Sequence, residues 1–316
     1  MSDQGNTFDF EPAAFVPFRD KKALDRVRSI KREDMEKHPN PDFKIKIIPD
    51  PGLLWAMDMV LRIRESDEQD KKVTMMMPNP APAIYASVAE AINRFRIDCR
   101  NVHTFNLDEW ADEGGRVAPE SYKAGFHHSF LKHFYGKIDP ELRMKKGNCR
   151  APTTENINDY GKHIAECGDG GADICYSGPG WTGHLAFIDP GTEEFAAESI
   201  EQFLELGSRI VTLHPLTIAQ NSLHGCFGCS GDIANVPPKA ATIGPADIVR
   251  CRNRIEMHAI TTMGTVSAWQ RMASRLALYG PVTMQAPSSI LQLLPTSVYV
   301  SEEIAKEFGC WETVGY

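Results

Sequence analysis

Short apolar runs, separated by longer segments of helical periodicity, recur along this chain. Phe43 to Ile48 alternates apolar residues with lysine and predicts a strand. Val73 to Met77 and Val102 to Phe105 predict two more strands, and Ala172 to Tyr176 predicts a buried one. Later runs that predict short strands are Ile210 to Leu213, Ala241 to Ile243, Met257 to Thr261 and Val298 to Val300.

The segments between these runs carry apolar residues at helical spacing. Asp50-Pro51 opens the first helix, because proline is tolerated in the first helical turn. One face of this helix carries Leu53, Met57, Val60 and Leu61, and one side of the next carries Tyr85, Val88, Ile92 and Phe95. Further helices fit Tyr122 to Tyr135, Glu155 to Glu166 and Val266 to Tyr279. Strands alternating with helices of about 10–15 residues predict an α/β fold: a mainly parallel sheet with helices on both faces, a Rossmann-like three-layer arrangement.

The pattern indicates one domain with an N-terminal extension. Residues 1–42 are polar and charged, with one helical pattern that starts at Asp20 and includes Leu24, Val27 and Ile30. From residue 43 to residue 316 we find no internal repeat and no low-complexity linker. We therefore expect a partly helical extension over 1–42 and a single α/β domain over 43–316.

Composition narrows the class of protein. Apolar residues make up 42% of the 316 residues, and 34 Lys and Arg against 42 Asp and Glu give a net charge of −8, which excludes a basic nucleic-acid surface. No apolar run approaches the length of a membrane span, and the eight cysteines lack the spacing of a disulfide scaffold. We expect a cytoplasmic protein with no nucleic-acid or membrane partner.

Cys226 and Cys229 form the one Cys-x-x-Cys pair, with His224 just before it. The pair could be a redox couple or half of a zinc site. A structural zinc ion usually needs four ligands, and no second Cys-x-x-Cys completes the set. We favour a loop with two reduced thiols and expect no metal.

A glycine-rich segment from Ser177 to Pro190 follows the buried strand at Ala172 to Tyr176. Its three glycines allow sharp turns and close approach to a ligand, and it carries His184 and, five residues later, Asp189. A histidine at the carboxyl end of a strand, with a carboxylate to fix its tautomer, is a candidate general acid–base. The alternative is a glycine-rich turn with an incidental histidine.

Asp108 and Glu109 stand at the carboxyl end of the strand that begins at Val102. Adjacent residues of a strand alternate faces, so only one of the two carboxylates can point into a cleft. A partly desolvated carboxylate there would have a raised pKa and could transfer protons. The alternatives are a solvated acidic loop or a helix N-terminus, which favours negative charge. Acid–base groups on two strand-end loops favour an active site.

The chain resembles the glucosamine-6-phosphate deaminase/isomerase family, which shares its fold with the 6-phosphogluconolactonases. The matching stretches run in order from about Phe43 to the C-terminus, and the first and third of them distinguish deaminases from lactonases. They are Thr104-Phe-Asn-Leu-Asp-Glu-Trp110, Pro119-Glu-Ser-Tyr122, Gly183-His-Leu-Ala-Phe187 with Pro190, Val236-Pro-Pro-Lys-Ala240, and Leu291-Gln-Leu293 with Pro295.

The resemblance implies a function. A histidine at the position of His184 opens the pyranose ring, the carboxylate of Asp108 moves a proton between C2 and C1, and Asp189 supports the histidine where glutamate is usual. Ammonia leaves when C2 carries an amine, and neither cofactor nor metal is needed. The resemblance also implies a homo-oligomer, commonly a hexamer. The residues expected to bind the sugar are Asn79, Pro80, Ala81, Glu109, Thr182, Gly183, Ser222 and His224.

Several family positions differ in this chain. Thr182 replaces the usual aspartate, and Pro78-Asn-Pro-Ala-Pro-Ala83 replaces a Pro-Thr-Gly-Gly-Thr-Pro-like phosphate loop. Prolines lack the N–H that cradles an anion. The arginine and lysine that contact phosphate in the family fall at Leu223 and Ser267. We therefore expect a sugar or amino-sugar substrate without a 6-phosphate, or with a different far end. The alternatives are a lactone hydrolase and a non-catalytic sugar-sensing protein.

Overall fold

The computed structural model describes residues 10–261 and 269–308. The expected helix start at Val266 lies outside these residues. The strands are β1 Phe43–Ile48, β2 Val73–Met77, β3 Val102–Asn106, β4 Asp108–Ala111, β5 Cys149–Arg150, β6 Ile174–Ser177, β7 Arg209–Thr212, β8 Lys239–Thr242, β9 Asn253–His258 and β10 Thr296–Ser301. The α-helices are α1 Lys21–Arg28, α2 Pro51–Glu68, α3 Pro82–Phe95, α4 Phe126–His133, α5 Tyr160–Cys167, α6 Ile200–Leu204, α7 Pro215–Ser222, α8 Pro245–Arg250, α9 Gln270–Tyr279 and α10 Glu302–Ala305.

Seven strands form one parallel sheet in the order β1-β10-β9-β6-β2-β3-β5. Successive side chains of a strand point to opposite faces, so Met75 and Met76 of β2 enter two different hydrophobic clusters. One cluster includes residues of α2 and α3, and the other includes residues of α5, α8 and α9. The α/β prediction of a parallel sheet between two layers of helices is confirmed.

A second, three-stranded sheet was not predicted. It has the order β4-β8-β7, and both of its strand pairs are antiparallel. The chain leaves the main sheet at Asn106, passes Leu107 and enters β4 at Asp108. The backbone on both sides of Asp108 is therefore held in strands, and this places the carboxylate at the edge where the parallel strands end.

Helix α2 packs through a face other than the one that its sequence suggests. Leu53, Met57 and Leu61 are exposed, Leu53 at 55%, whereas Trp55 and Met59 are buried. The exposed set and the buried set of apolar side chains lie on opposite sides of the helix, because residues two positions apart are separated by about 200° around its axis. Periodicity alone cannot choose between them. At the end of α3, Phe95 is likewise 65% exposed rather than packed with Ile92.

Strand β9 starts four residues before the predicted strand at Met257 to Thr261. Its polar residues Arg254, Glu256 and His258 are buried on one face and obscure the apolar pattern from which strands are recognised. Among the residues that the structure describes, no helix is long and apolar enough to cross a membrane.

Candidate active site

A cavity of about 100 Å³ lies where β2, β3 and β6 end. Ligands of parallel α/β sheets bind at the carboxyl ends of the strands, so this is the expected place for a site. Of the residues predicted from the sequence, Asn79, Asp108, His184 and His224 line it. The full lining is Pro78, Asn79, Leu107, Asp108, Phe126, Gly178, Pro179, His184, Ala186, Phe187, Gln220, Asn221 and His224.

The His184 ring is fixed by hydrogen bonds at Nδ1. This atom lies 3.0 Å from Asp189 Oδ1 and 2.9 Å from Thr217 Oγ1. An ionised carboxylate only accepts, so the proton is on Nδ1 and the lone pair is on Nε2. The other side of the ring rests on Gly180, where an added Cβ would meet Nε2 at 1.8 Å. Gly180 is therefore glycine because the imidazole ring occupies the space of a side chain.

Asp189 connects the histidine to helix α7. Its Oδ1 accepts hydrogen bonds from the hydroxyls of Thr182 and Thr217 at 2.8 and 2.7 Å, and its Oδ2 accepts the N–H of His214, the N-cap of α7, at 2.9 Å. Burial by itself would raise the pKa of Asp189, but its bonds to His184, His214 and Thr217 hold that pKa below its ordinary value. The carboxylate is thus ionised at neutral pH and orients the imidazole.

Thr182 and Thr217 complete this network. Thr182 stands where an aspartate was expected, yet its hydroxyl donates to Asp189 and accepts the N–H of His184 at 3.2 Å. Thr182 does not line the cavity, and it supports the histidine through its bonds to Asp189 and to the backbone of His184. Thr217 was not predicted, because no motif marks it. Its role is visible only in the structure, where α7 packs against the segment from Ser177 to Pro190 that carries His184, called here the histidine loop.

Asp108 faces the cavity with a free carboxyl oxygen. Its Oδ1 is buried and has no hydrogen-bond partner among the described residues. Burial, together with the neighbouring Glu109, raises the pKa of Asp108 well above its ordinary value. Asp108 is therefore placed as a proton acceptor whose basicity exceeds that of a solvated carboxylate.

Glu109, which its motif led us to expect at the substrate, does not line the cavity. Its two oxygens accept the backbone N–H groups of Trp110, Phe126 and His127, the last two being in the first turn of α4. Burial raises the pKa of Glu109 to about 7, although these bonds oppose the shift. Glu109 joins β4 to the start of α4.

The remaining polar groups of the cavity are uncharged. Gln220 and Asn221 lie on α7, and the buried Oδ1 of Asn79 has no partner among the described residues. The same holds for both ring nitrogens of His224, a residue that is half-buried. Burial, and to a lesser extent His184, lowers the pKa of His224 to about 4, so its ring is neutral at pH 7. No lysine or arginine is among the lining residues.

Several other predicted binding residues lie outside the lining. Ser222 is buried and donates to the carbonyl of Ala219, so its hydroxyl is already engaged within α7. Pro80, Ala81 and Gly183 are also absent from the lining, and Leu223 is 36% exposed. Ser267 lies outside the described residues.

Cys226 and Cys229 are free thiols, and burial raises the pKa of Cys226 to about 11. No three His, Cys, Asp or Glu side chains within residues 10–261 and 269–308 are grouped as a metal ion would need.

Sequence comparison finds related proteins, although no family model matches the chain. Glucosamine-6-phosphate deaminase of Porphyromonas gingivalis is 30% identical over 259 residues, covering 79% of this chain and 87% of the relative. The deaminase of Caenorhabditis elegans is 26% identical over 255 residues, covering 79% and 85%. Human glucosamine-6-phosphate deaminase 2 is 28% identical over 256 residues, covering 79% and 83%.

Solved structures agree on the fold. A monomeric glucosamine-6-phosphate deaminase superposes with a TM-score of 0.63 at 22% identity, covering 83% of this chain and 99% of that one. The 6-phosphogluconolactonase of Leishmania guyanensis gives 0.57 at 12% identity, covering 85% and 99%. At these identities the likeness supports the three-layer fold and does not decide between the two activities.

The neutral state of His224 predicts a pH dependence of stability. Its pKa is about 4 in the folded protein and about 6.5 in an unfolded chain, so between these values only the unfolded state binds the proton. Stability is therefore lost as the pH falls from 6.5 towards 4, by up to about 2 kcal/mol at pH 5 from this group. Urea unfolding at pH 7.5 and 5.0 should show a smaller loss for His224→Gln than for wild type. His163→Gln, at an exposed histidine, should lose as much as wild type. Equal losses in all three proteins would contradict the assignment.

Proposed function

The chain belongs to the glucosamine-6-phosphate deaminase family, and we propose that it is an aldose–ketose isomerase or amino-sugar deaminase that acts through His184 and Asp108. One observation carries the proposal: the two groups line the same cavity, and each is prepared for proton transfer in a different way. His184 has an oriented lone pair at Nε2. Asp108 has a free, buried oxygen of raised basicity.

Ring opening falls to His184 in this proposal. Nε2 takes the proton of the C1 hydroxyl, the bond between C1 and the ring oxygen breaks, and the imidazolium returns the proton to that oxygen. Asp189 stabilises the transient imidazolium through Nδ1–H and fixes the tautomer. Thr182 replaces the aspartate that is usual in the family, and the loss of that carboxylate would be expected to weaken the support of the histidine. The bonds of Thr182 and Thr217 to Asp189 support the opposite inference, that the histidine remains oriented.

Asp108 then acts on the open sugar. Its carboxylate removes the C2 proton, which is acidic because it is α to the C1 carbonyl, and the resulting enol accepts a proton at C1. When C2 carries an amine, the product is an imine that water hydrolyses to a ketose and ammonia. When C2 carries a hydroxyl, the same transfer gives a ketose directly. Raising the pKa of Asp108 brings it closer to that of the carbon acid and favours the transfer.

We further propose that the substrate carries no 6-phosphate. Apart from Asp108 and His184, the polar side chains that line the cavity are neutral, namely Asn79, Gln220, Asn221 and a neutral His224. Residues 262–268, outside the described part, contain no lysine or arginine by sequence. Each charge-assisted bond to a phosphate contributes about 1.5–3 kcal/mol, so a site without such bonds binds a phosphosugar orders of magnitude more weakly.

A lactone hydrolase is the second candidate, because a 6-phosphogluconolactonase shares the fold. His184 would then activate water, and no proton would move between C2 and C1. The free oxygen of Asp108 would have no role in that reaction, and this favours the isomerase or deaminase. A sugar-sensing protein would need neither an oriented tautomer nor a basic carboxylate.

Replacing Asp108 tests the proposed chemistry. We expect Asp108→Asn to fold with a melting temperature near that of wild type. Incorporation of solvent deuterium at C2 of glucosamine or an unphosphorylated aldose should fall by about 10²–10⁴-fold, because the proton acceptor is lost. The assay is NMR or mass spectrometry of sugar incubated in D₂O. Asp232→Asn, at an exposed carboxylate, is the matched control and should keep wild-type exchange. Wild-type exchange in Asp108→Asn would refute the role of this carboxylate, and lactone hydrolysis without exchange would favour the hydrolase.

Calorimetry tests the substrate class. We expect glucosamine to bind wild type at least as tightly as glucosamine 6-phosphate, since the cavity has no cation for the phosphate. Substituting His224→Gln should weaken the binding of glucosamine, with no added effect of the phosphate. Micromolar binding that depends on the phosphate would show that basic residues elsewhere hold the anion.

A further inference from the structure

We propose that the N-terminal segment, residues 10–42, positions the catalytic histidine by pressing the turn at residues 283–288 against the histidine loop. This role is separate from the chemistry proposed above and follows from three sets of contacts. They lead from the segment to the turn, from the turn to Gly183, and from Gly183 to His184.

The N-terminal segment is packed into the domain. Phe18 and Leu24 form a buried cluster with Leu276 of α9 and Ala286 of the turn, and Phe18 is only 5% exposed. The buried side chains of Val27 and Met35 belong to the larger hydrophobic cluster beside the main sheet. The large aromatic side chain of Phe18 is almost fully removed from water, and this burial stabilises the contact.

Hydrogen bonds fix the segment at the end of α9 and at the end of the 3₁₀ helix Pro287–Leu293. Arg26 Nη2 donates to the carbonyl of Tyr279 at 2.8 Å, and the Tyr279 hydroxyl donates to the carbonyl of Met35. Asn40 Nδ2 donates to the carbonyl of Gln292 at 2.8 Å. The segment therefore holds the chain on both sides of the turn at 283–288.

The turn contacts the histidine loop without a gap. Both the N–H and the hydroxyl of Ser288 donate to the carbonyl of Gly183, at 2.8 and 2.9 Å. A Cβ on Gly183 would lie 3.2 Å from the Cα and the Cβ of Ala286. Ala286 is itself fully buried in the cluster with Phe18. Phe18 thus shares a buried cluster with Ala286, and Gly183 rests on Ala286.

Gly183 carries this support to the next residue, His184. Its φ of +78° is a conformation that glycine adopts readily and other residues rarely do, so local sequence alone does not hold the loop in one shape. On its inner side, His184 is held by Asp189 and Thr217. The turn holds Gly183, the residue next to His184, through the two hydrogen bonds of Ser288. A catalytic group whose surrounding contacts are loosened by about 1 Å loses much of its effectiveness.

The segment offers a matched pair of variants. Phe18 is buried in the cluster with Ala286, whereas Phe15, three residues earlier, is 64% exposed. Phe18→Ala and Phe15→Ala remove the same atoms, but only the first removes the support of the turn. Ser288→Ala deletes one of the two bonds to Gly183 and tests the same path without touching the N-terminal segment. Phe18→Leu is the conservative variant that should restore wild-type behaviour.

The experiment combines two readouts that need no substrate. Hydrogen exchange of the peptide spanning residues 180–190, followed by mass spectrometry, reports opening of the loop. In protein labelled with ¹⁵N-histidine, the Nδ1–H signal of His184 reports its bond to Asp189. We expect Phe18→Ala and Ser288→Ala each to speed exchange by about tenfold and to broaden or remove the Nδ1–H signal. Phe15→Ala and Phe18→Leu should match wild type.

If Phe18→Ala lowers the melting temperature but leaves exchange at 180–190 and the Nδ1–H signal as in wild type, the segment serves stability alone and the proposal is wrong. If Phe18→Ala does not fold, Ser288→Ala and Phe18→Leu decide, and wild-type exchange in Ser288→Ala refutes the proposal. Failure of the proposed deaminase or isomerase reaction leaves both readouts unaffected.

Discussion

The hydrogen bond between His184 Nδ1 and Asp189 is the interaction on which the site depends. It requires an ionised carboxylate in a buried place, which is costly unless several donors surround it. The N-terminus of α7 supplies one donor through His214, and the hydroxyls of Thr182 and Thr217 supply two more. The imidazole in turn needs an empty position at Gly180. The packing of α7, the glycine at position 180 and the two threonines therefore all help to hold the His184 ring in one orientation, with its proton on Nδ1.

Burial has opposite consequences for two of the groups that line the cavity. It raises the pKa of Asp108, whose free oxygen faces the cavity. Burial lowers the pKa of His224 and keeps its ring neutral, and the amides of the lining also carry no charge. The proline-rich residues 78–83 offer few backbone N–H donors to an anion. The proposed function, an isomerase or deaminase of an unphosphorylated sugar, rests on this combination of acid–base groups with an uncharged remainder.

Sequence reasoning succeeded where the local pattern and the tertiary structure agree. Alternating runs predicted the parallel sheet, and motifs at two strand ends predicted that Asp108 and His184 share one site, where both line the same cavity. It failed where tertiary packing decides. Helix α2 has apolar stripes on opposite sides, and β9 buries the polar residues Arg254, Glu256 and His258, which hide its apolar pattern. The role of Thr217 is set by a contact across 28 residues, which no local motif encodes.

A crystal structure with 2-amino-2-deoxyglucitol, an open-chain amino sugar without phosphate, would test the central claim most directly. The account predicts C1 and C2 beside the carboxyl of Asp108 and O5 within about 3 Å of His184 Nε2. It also predicts that the far hydroxyls contact His224 or Asn79, the lining groups whose buried polar atoms lack partners among the described residues. A ligand bound with C1 and C2 away from Asp108, or bound only outside this cavity, would contradict it.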